Sequence, residues 1–570
     1  MCLLLASDCC KIVTLPFWFR GNLCPGIVLA SVLICSHLPA QEVPAGAVAS
    51  APVQGSTGAV PGEDPAPEPT MYIREIRVKG VTCLTPEEIE SAVYPFTGPL
   101  RSMKDVDEAR SALEKACQDK GFKTVAVEVP EQTGARGIIY LKVVENTVGR
   151  LRIRGAKYFS PEVIKRRLPS MAAGRLPNFT DVTKDIVALS QLADLQVTPK
   201  LRPGVIDNTI DIDMEVKDTL PLHGSLELNN RYSANTTELR LNGAINYNNL
   251  WQAGHSLGLS FQVAPENMDD ASVYSAYYLA RLQNHPGTSL MFMGTKQDSN
   301  VSTLGGAAVA GRGEIIGARA LFTLPGEAGF FQSVSVGMDY KHFAEDVSVG
   351  ENLISTPIEY YPFTMNYSAA WTGKKTFTEL NAAANWHFRG MGSDRLEFDN
   401  KRYKANGGYF YVRGDLSHTR ELPGGTEIYT KVQGQAASGP LINSEQFSGG
   451  GVATARGYLE STALGDNGIF GTLELRSPSF IGLSGKPQGG EKPSDREWRL
   501  YGFLEGGSLF LNDALKEQDD QINLASTGVG TRIKLFGHFN ASVDVAIPLI
   551  DQPEAEKGTP RVNFRLWSEF

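Results

Sequence analysis

No cysteine follows Cys117, and five of the seven in the chain stand at or before Cys35. The long body of the protein is therefore not a disulfide scaffold. Basic charge is also in short supply: 54 Lys and Arg against 63 Asp and Glu give a net charge of −9, and no Lys/Arg cluster offsets it. That balance excludes nucleic acid as a partner. Long apolar runs are missing as well. The one uninterrupted segment, roughly Gly26 to Leu38, is too short to cross a bilayer as a helix. The eight histidines are scattered singly with no His-x-x-x-His pair, and there is no Gly-x-Ser-x-Gly elbow, Gly-Lys-Ser/Thr loop or carboxylate-rich metal loop. The reading is of a non-enzyme without cofactor or metal.

The apolar segment follows Lys11 and Arg20 and leads to Leu38-Pro39-Ala40. That order reads as an export signal over 1–40. A lipoprotein reading at Cys35 fails on Ile34, which is not small. Residues 41–70 are Pro, Ala, Gly and Val with almost no charge and no aromatic, the composition of a flexible linker. Cys83 and Cys117 remain after export. An oxidising compartment lets them pair, while two small buried residues is the competing reading.

Residues 71–218 contain a duplication. Ile76-Arg77-Val78-Lys79-Gly80 matches Leu151-Arg152-Ile153-Arg154-Gly155, and Thr85-Pro86-Glu87-Glu88-Ile89 matches Ser160-Pro161-Glu162-Val163-Ile164, both at an offset of 75 residues. Two motifs in one register predict two copies of a small domain, 71–146 and 147–218. Each copy reads as a strand, a helix capped by Thr85 or Ser160 with proline at its first position, a second helix (about 106–120 and 181–193) and two closing strands. Glu88 completes a capping box in the first, and Gly121 stops its second helix.

From Thr219 onward the text changes to alternating strands. Leu239, Leu241, Ile245 and Tyr247 oppose Glu238, Arg240, Asn242 and Asn246, and the last ten residues set Val562, Phe564, Leu566 and Phe570 against Arg561, Asn563, Arg565 and Glu569. A period of two puts these sets on opposite faces. Oily outside and polar inside is the pattern of a transmembrane antiparallel β-barrel, whose diluted apolar residues explain a mean hydropathy of only −0.18. The 352 residues from 219 to 570, at about 20 to 24 per strand and turn, predict sixteen strands with no helix between them.

One segment carries more than periodicity. Phe447-Ser448-Gly449-Gly450-Gly451 runs into Ala455-Arg456-Gly457-Tyr458, and Phe503-Leu504-Glu505-Gly506-Gly507 follows later. With the tandem copies, whose β-α-α-β-β order resembles the POTRA domain, the chain resembles the outer-membrane transporters of two-partner secretion, the haemolysin secretion/activation proteins. The early turn Asn248-Asn249-Leu250-Trp251 with Gly254 fits too, so the resemblance covers nearly the whole mature chain.

The resemblance implies that the loop around 447–468 folds into the barrel and that Arg456, Gly457 and Tyr458, with Gly449 and Gly450, meet a wall motif of Phe503, Glu505 and Gly507. Here Ala455 replaces the usual Val and Glu505 the usual Asp. No amphipathic pattern in 41–70 supplies the amino-terminal plug helix that relatives often carry, so either loops alone close the pore or the chain belongs to a side branch. Phe564, Leu566 and Phe570 form a carboxy-terminal assembly signal read by the barrel-assembly machinery. The implied protein is a monomer in outer-membrane lipid with periplasmic POTRA domains, passing an unfolded secreted polypeptide. A barrel-assembly factor and a passive porin are the competing functions.

Overall fold

The computed structural model describes residues 70–570 apart from 284, 286, 300–310, 345, 350–351, 356, 482–495 and 517. The expected export signal and all but the last residue of the linker lie outside the described residues. What is described forms two units, 70–220 and 221–570.

The first unit holds two copies of one topology. In the first, Glu75–Lys79 pairs in parallel with Ile138–Glu145, which pairs antiparallel with Val125–Glu128. In the second, Thr147–Arg154, Thr209–Asp218 and Leu195–Pro203 repeat the order and the directions. Each sheet covers two helices: Pro86–Val93 and Met103–Asp119, then Pro161–Arg166 and Phe179–Ser190. Each copy buries its own core, around Leu113 and Leu141 in one and Ile164, Leu168 and Met171 in the other. The first adds a two-stranded sheet, Met71–Ile73 with Gly98–Arg101, that periodicity did not reveal.

Local chemistry sets the helix ends. The Thr85–Glu88 capping box forms as expected. The second helix begins at Met103 and not Val106, because the Asp105 carboxylate accepts the Ser102 backbone N–H at 2.7 Å. Gly121 ends it with φ +97°, where an added Cβ would lie 2.4 Å from Asn178 Oδ1. Asn178 in turn caps the fourth helix through the Thr180 N–H and donates to the Lys120 carbonyl, joining the copies.

Ser160 departs from expectation, since its side chain makes no cap bond. The turn before that helix is held from across the sheet instead. The Asp218 carboxylate accepts the backbone N–H groups of Lys157, Tyr158 and Phe159 at 2.6–3.0 Å. Glu145 does the same in the first copy for Thr82 and Cys83. Both acids end the last strand of their copy, so one device serves twice.

Cys83 and Cys117 stand as free thiols in the structure, not as a bridge, with Sγ atoms 3.2 Å apart against about 2.05 Å for a bond. Burial, then the neighbouring sulfur, pushes the Cys83 thiol well above its usual range.

The second unit is a closed antiparallel barrel of sixteen strands, from Leu222–Asn229 to Arg561–Glu569. One strand is written in two pieces, Ile358–Tyr360 and Phe363–Thr372, both paired with Phe330–Ala344. Pro362 lies in the break and has no N–H for the ladder. Outward-facing Ile245, Leu259, Phe292, Ile316, Leu504 and Val529 are 46–63% exposed, whereas inward Asn229, Gln297, Asp339 and Asp544 are buried. An apolar girdle around a polar interior is the arrangement a bilayer demands of strands. The ring closes through five residue pairs between the last and first strands, against eight between the first and second. Phe570 extends that seam by exchanging two backbone hydrogen bonds with Gly224.

Several turns at the end where the chain enters the barrel are short, such as 251–254 and 536–538, while loops at the distal end include 388–408 and 438–466. Contrary to the expectation of strands and turns alone, the first of these contains a helix, Arg395–Lys401, capped by Asp394 and Glu397. Seven residues are too few to show a helical period in a sequence.

The Asp218 clamp generates a test. Burial would raise the pKa of this carboxyl, but the three backbone N–H groups outweigh it and hold it below the usual range. A depressed pKa means that the clamp stabilises the fold fully above the ordinary carboxylate pKa of about 3.9 and loses that contribution as pH falls through the folded value. Asp218→Ala should cost about 1–2 kcal/mol at pH 7 in denaturant unfolding, and the gap from wild type should narrow as pH falls below about 4. A gap independent of pH would contradict the charged clamp.

Candidate functional site: the arginine loop inside the barrel

The 438–466 segment leaves the strand Glu427–Ala437, folds into the lumen and returns to Asn467–Arg476. Glycine makes this path feasible. Gly450 and Gly451 adopt φ of +101° and +86°, and an added Cβ would lie 2.5 Å from the Leu459 carbonyl oxygen or 2.1 Å from the Glu460 carboxylate. Thr454 closes the turn, its Oγ1 accepting the Gly450 N–H and donating to the Gly450 carbonyl. Gly449 is needed for closeness, since Leu509 and Phe470 lie 2.8 Å from its virtual Cβ.

Arg456 sits at the tip with its side chain 6% exposed. Its backbone N–H donates to Glu505 Oε2 and its Nε to Glu505 Oε1, both at 2.9 Å. The longer acid therefore reaches the guanidinium and the main chain together. Nη2 donates to Glu474 at 2.9 Å, and Nη1 lies 3.4 Å from Asp544. The Phe503 ring lies under the guanidinium, 3.9 Å from centroid to Cζ. Each of the three guanidinium nitrogens thus faces a carboxylate while an aromatic ring covers one face of the cation.

The neighbours of Arg456 finish the docking. Gly457 presses on the wall, where a Cβ would meet Pro548 N at 2.8 Å and Ser526 Cβ at 2.9 Å. Tyr458 is 1% exposed and its hydroxyl donates to the carbonyls of Ala525 and Ile550. Asn563 of the last strand donates to the Arg456 carbonyl at 2.9 Å.

Of the residues singled out in the sequence, the structure thus brings together Arg456, Gly457, Tyr458, Phe503 and Glu505. At Gly507 the bare Cα lets Phe470 and the Ile469 carbonyl close in from the adjacent strand. Phe564, Leu566 and Phe570 lie along the closing strand, with the Phe570 ring over Gly224. Cys83 and Cys117 belong to the other unit. Glu474 and Asp544 were missed, although both interrupt outward apolar residues in alternating strands. Glu474 also receives Arg476 at 2.7 Å and Arg532 at 3.1 Å, so three arginines face three carboxylates. Among the described residues no group of three or more His, Cys, Asp or Glu could hold a metal ion.

A sixteen-stranded barrel with a lumenal arginine loop, preceded by POTRA-type folding, defines an outer-membrane protein of the POTRA-plus-barrel class. The pattern of the ShlB-type POTRA domain matches residues 71–146, and that of the haemolysin secretion/activation protein ShlB/FhaC/HecB matches residues 208–533. The chain is similar to the outer membrane transporter CdiB of Dickeya dadantii (strain 3937), 20% identical over 438 residues that cover 71% of this chain and 72% of the relative. Its fold is similar to the solved structures of CdiB from Escherichia coli (TM-score 0.62, 18% identity, 90% of this chain and 93% of that one) and of CdiB from Acinetobacter baumannii (TM-score 0.55, 15% identity, 88% and 90%). The chain belongs to the haemolysin secretion/activation family: it is a two-partner secretion transporter of the outer membrane with a secreted exoprotein as its client.

Removing the wall partner should loosen the loop. Glu505→Ala leaves Arg456 short of one buried carboxylate, an omission that costs about 3–5 kcal/mol. Hydrogen exchange over 449–465 in the detergent-solubilised barrel should then quicken by at least tenfold. Arg456→Lys should also speed it, since one ammonium cannot replace a planar fork shared among three acids. Exchange at the wild-type rate in Glu505→Ala would show that the pair does not hold the loop.

Proposed function

We propose that the Arg456 loop is the gate of this transporter, closing the lumen at rest and yielding when an unfolded client enters. The observation that carries the reading is the enclosure of a fully charged tip residue by carboxylates of three different strands, Glu474, Glu505 and Asp544. Polar bonds of that kind hold firmly yet exchange readily for water or a passing chain once the site is wetted. With no amphipathic plug read in residues 41–70, loops carry the closure.

The client is captured before it reaches the gate. An extended polypeptide can add itself as a strand to a free sheet edge, its backbone bonds giving affinity without sequence preference. The later part of Thr147–Arg154, beyond Val148 whose backbone is bonded to Gly174 and Arg175, offers such an edge, whereas Leu195–Pro203 carries Pro199 and Pro203, which have no N–H to offer. The barrel is the place where a polar chain crosses lipid without stranding its peptide groups. Folding of the client outside withdraws chain from the lumen and gives transport its direction. The protein acts as a monomer, inserted by the barrel-assembly machinery through the Phe564, Leu566 and Phe570 strand.

Cys83 and Cys117 join as a disulfide after export, the two thiols giving up two protons and two electrons to a disulfide oxidant of the periplasm.

Arg456→Ala should lower export of the native client at least tenfold while heat-modifiable mobility shows a normally inserted barrel. Unchanged export would remove the gate reading, and single-channel recording with pull-down of an unfolded client separates a transporter from a passive porin. A non-reducing peptide map of protein taken from cells should show the 83–117 cross-link, and free alkylated thiols at both positions would refute it.

A further inference from the structure

The first half of the same loop is fastened separately, to a different part of the wall and with the opposite charge. Eleven residues before Arg456, Glu445 is 2% exposed. Its Oε1 accepts from Lys341 Nζ and from the Tyr360 hydroxyl, both at 2.6 Å, and its Oε2 accepts from the Tyr411 hydroxyl at 2.7 Å. Lys341 and Tyr360 are cross-strand partners, and Tyr411 lies on Tyr409–Glu421. None of these strands supplies a partner to the Arg456 side chain. The main chain is held too: Arg413 donates to the Gln446 carbonyl at 3.1 Å and Gln435 to that of Glu445 at 3.2 Å. Beside this carboxylate, Leu441 and Ile442 bury themselves with Phe343, Tyr360 and Phe398, the last from the helix Arg395–Lys401.

From this geometry we infer that Glu445 is a second latch, a positioning residue that keeps the first half of the loop in the lumen independently of Arg456. The loop offers an acid to a wall cation before its tip and a cation to wall acids at its tip. Each latch ties it to strands on one side of its root, Lys341, Tyr360 and Tyr411 before it and Glu474, Glu505 and Asp544 after it. Because the partners are disjoint, freeing one latch leaves the other engaged, and full opening requires both. This inference rests on the gate reading above.

Conductance of the full-length protein in planar lipid bilayers tests it, with heat-modifiable mobility as the control for folding. Glu445→Gln should raise mean conductance at least twofold over wild type, Arg456→Ala should do likewise, and the double variant should exceed the product of the two increases. Tyr360→Phe with Tyr411→Phe removes hydrogen bonds without stranding a charge and covers the case in which Glu445→Gln fails to insert; it should raise conductance in the same direction. The charge swap Lys341→Glu with Glu445→Lys should return conductance toward wild type, which a merely structural role would not produce. Wild-type conductance in Glu445→Gln, or in the tyrosine pair if that is the variant that inserts, overturns the second latch. If Arg456→Ala still opens the pore in that case, the gate reading survives. If Arg456→Ala leaves conductance unchanged, the gate reading itself falls.

Discussion

A guanidinium cannot stay charged inside a protein wall unless its charge is met where it sits, and the barrel is organised around that requirement at Arg456. Arginine does not shed its proton, so the interior must answer with carboxylates. Glu505, Glu474 and Asp544 come from three separate strands, and the Phe503 ring closes the remaining face. Two more arginines, Arg476 and Arg532, balance the acids left over around Glu474. Opposite charges stand beside one another throughout, which lets a polar cluster persist in the lumen without drawing the strands apart.

That cluster constrains the loop that delivers Arg456. Glycines 450 and 451 supply conformations that side chains resist, Gly457 supplies a close approach to the wall, and Tyr458 spends its hydroxyl on two carbonyls of the barrel. Every contact fixes the loop inward. In the proposed gate, a lumen wide enough for a polypeptide is kept from leaking by the loop, which is held by bonds that water can replace. Apolar packing around Phe447 and Phe470 steadies the loop, but the exchangeable part of the grip is polar.

The chain's membership in the haemolysin secretion/activation family agrees with this division of labour. Its first unit repeats a small fold, each copy steadied by an acid from its last strand that gathers the N–H groups of a turn. Its second unit faces lipid with Leu, Ile, Val and Phe and faces the lumen with Asn, Gln, Asp and Arg. The proposed second latch at Glu445 extends the same logic to the other side of the loop, with the charges exchanged.

Much of this was legible in the residues themselves, because it is local. Alternation of period two reveals barrel strands, a repeated register reveals a duplicated domain, and Thr85-Pro86 with Glu88 reveals a helix start. The segments around Arg456 and around Phe503 and Glu505 were joined as two halves of one site by their resemblance to the haemolysin secretion/activation family. Other features depended on neighbours far apart in the chain. Glu474 and Asp544 look like any inward acid of a lumen until strand register places them beside Arg456, and Asp218 looks like a strand end until the turn at Lys157 folds over it. The seven-residue helix at Arg395 carries too short a signal to be read, and Ser160 has the right identity for a cap that a distant carboxylate makes unnecessary. Alternation, turns and repeats follow from a few adjacent residues and can be read along the chain; which buried charges meet depends on closure of the barrel, which sets the register of all sixteen strands at once.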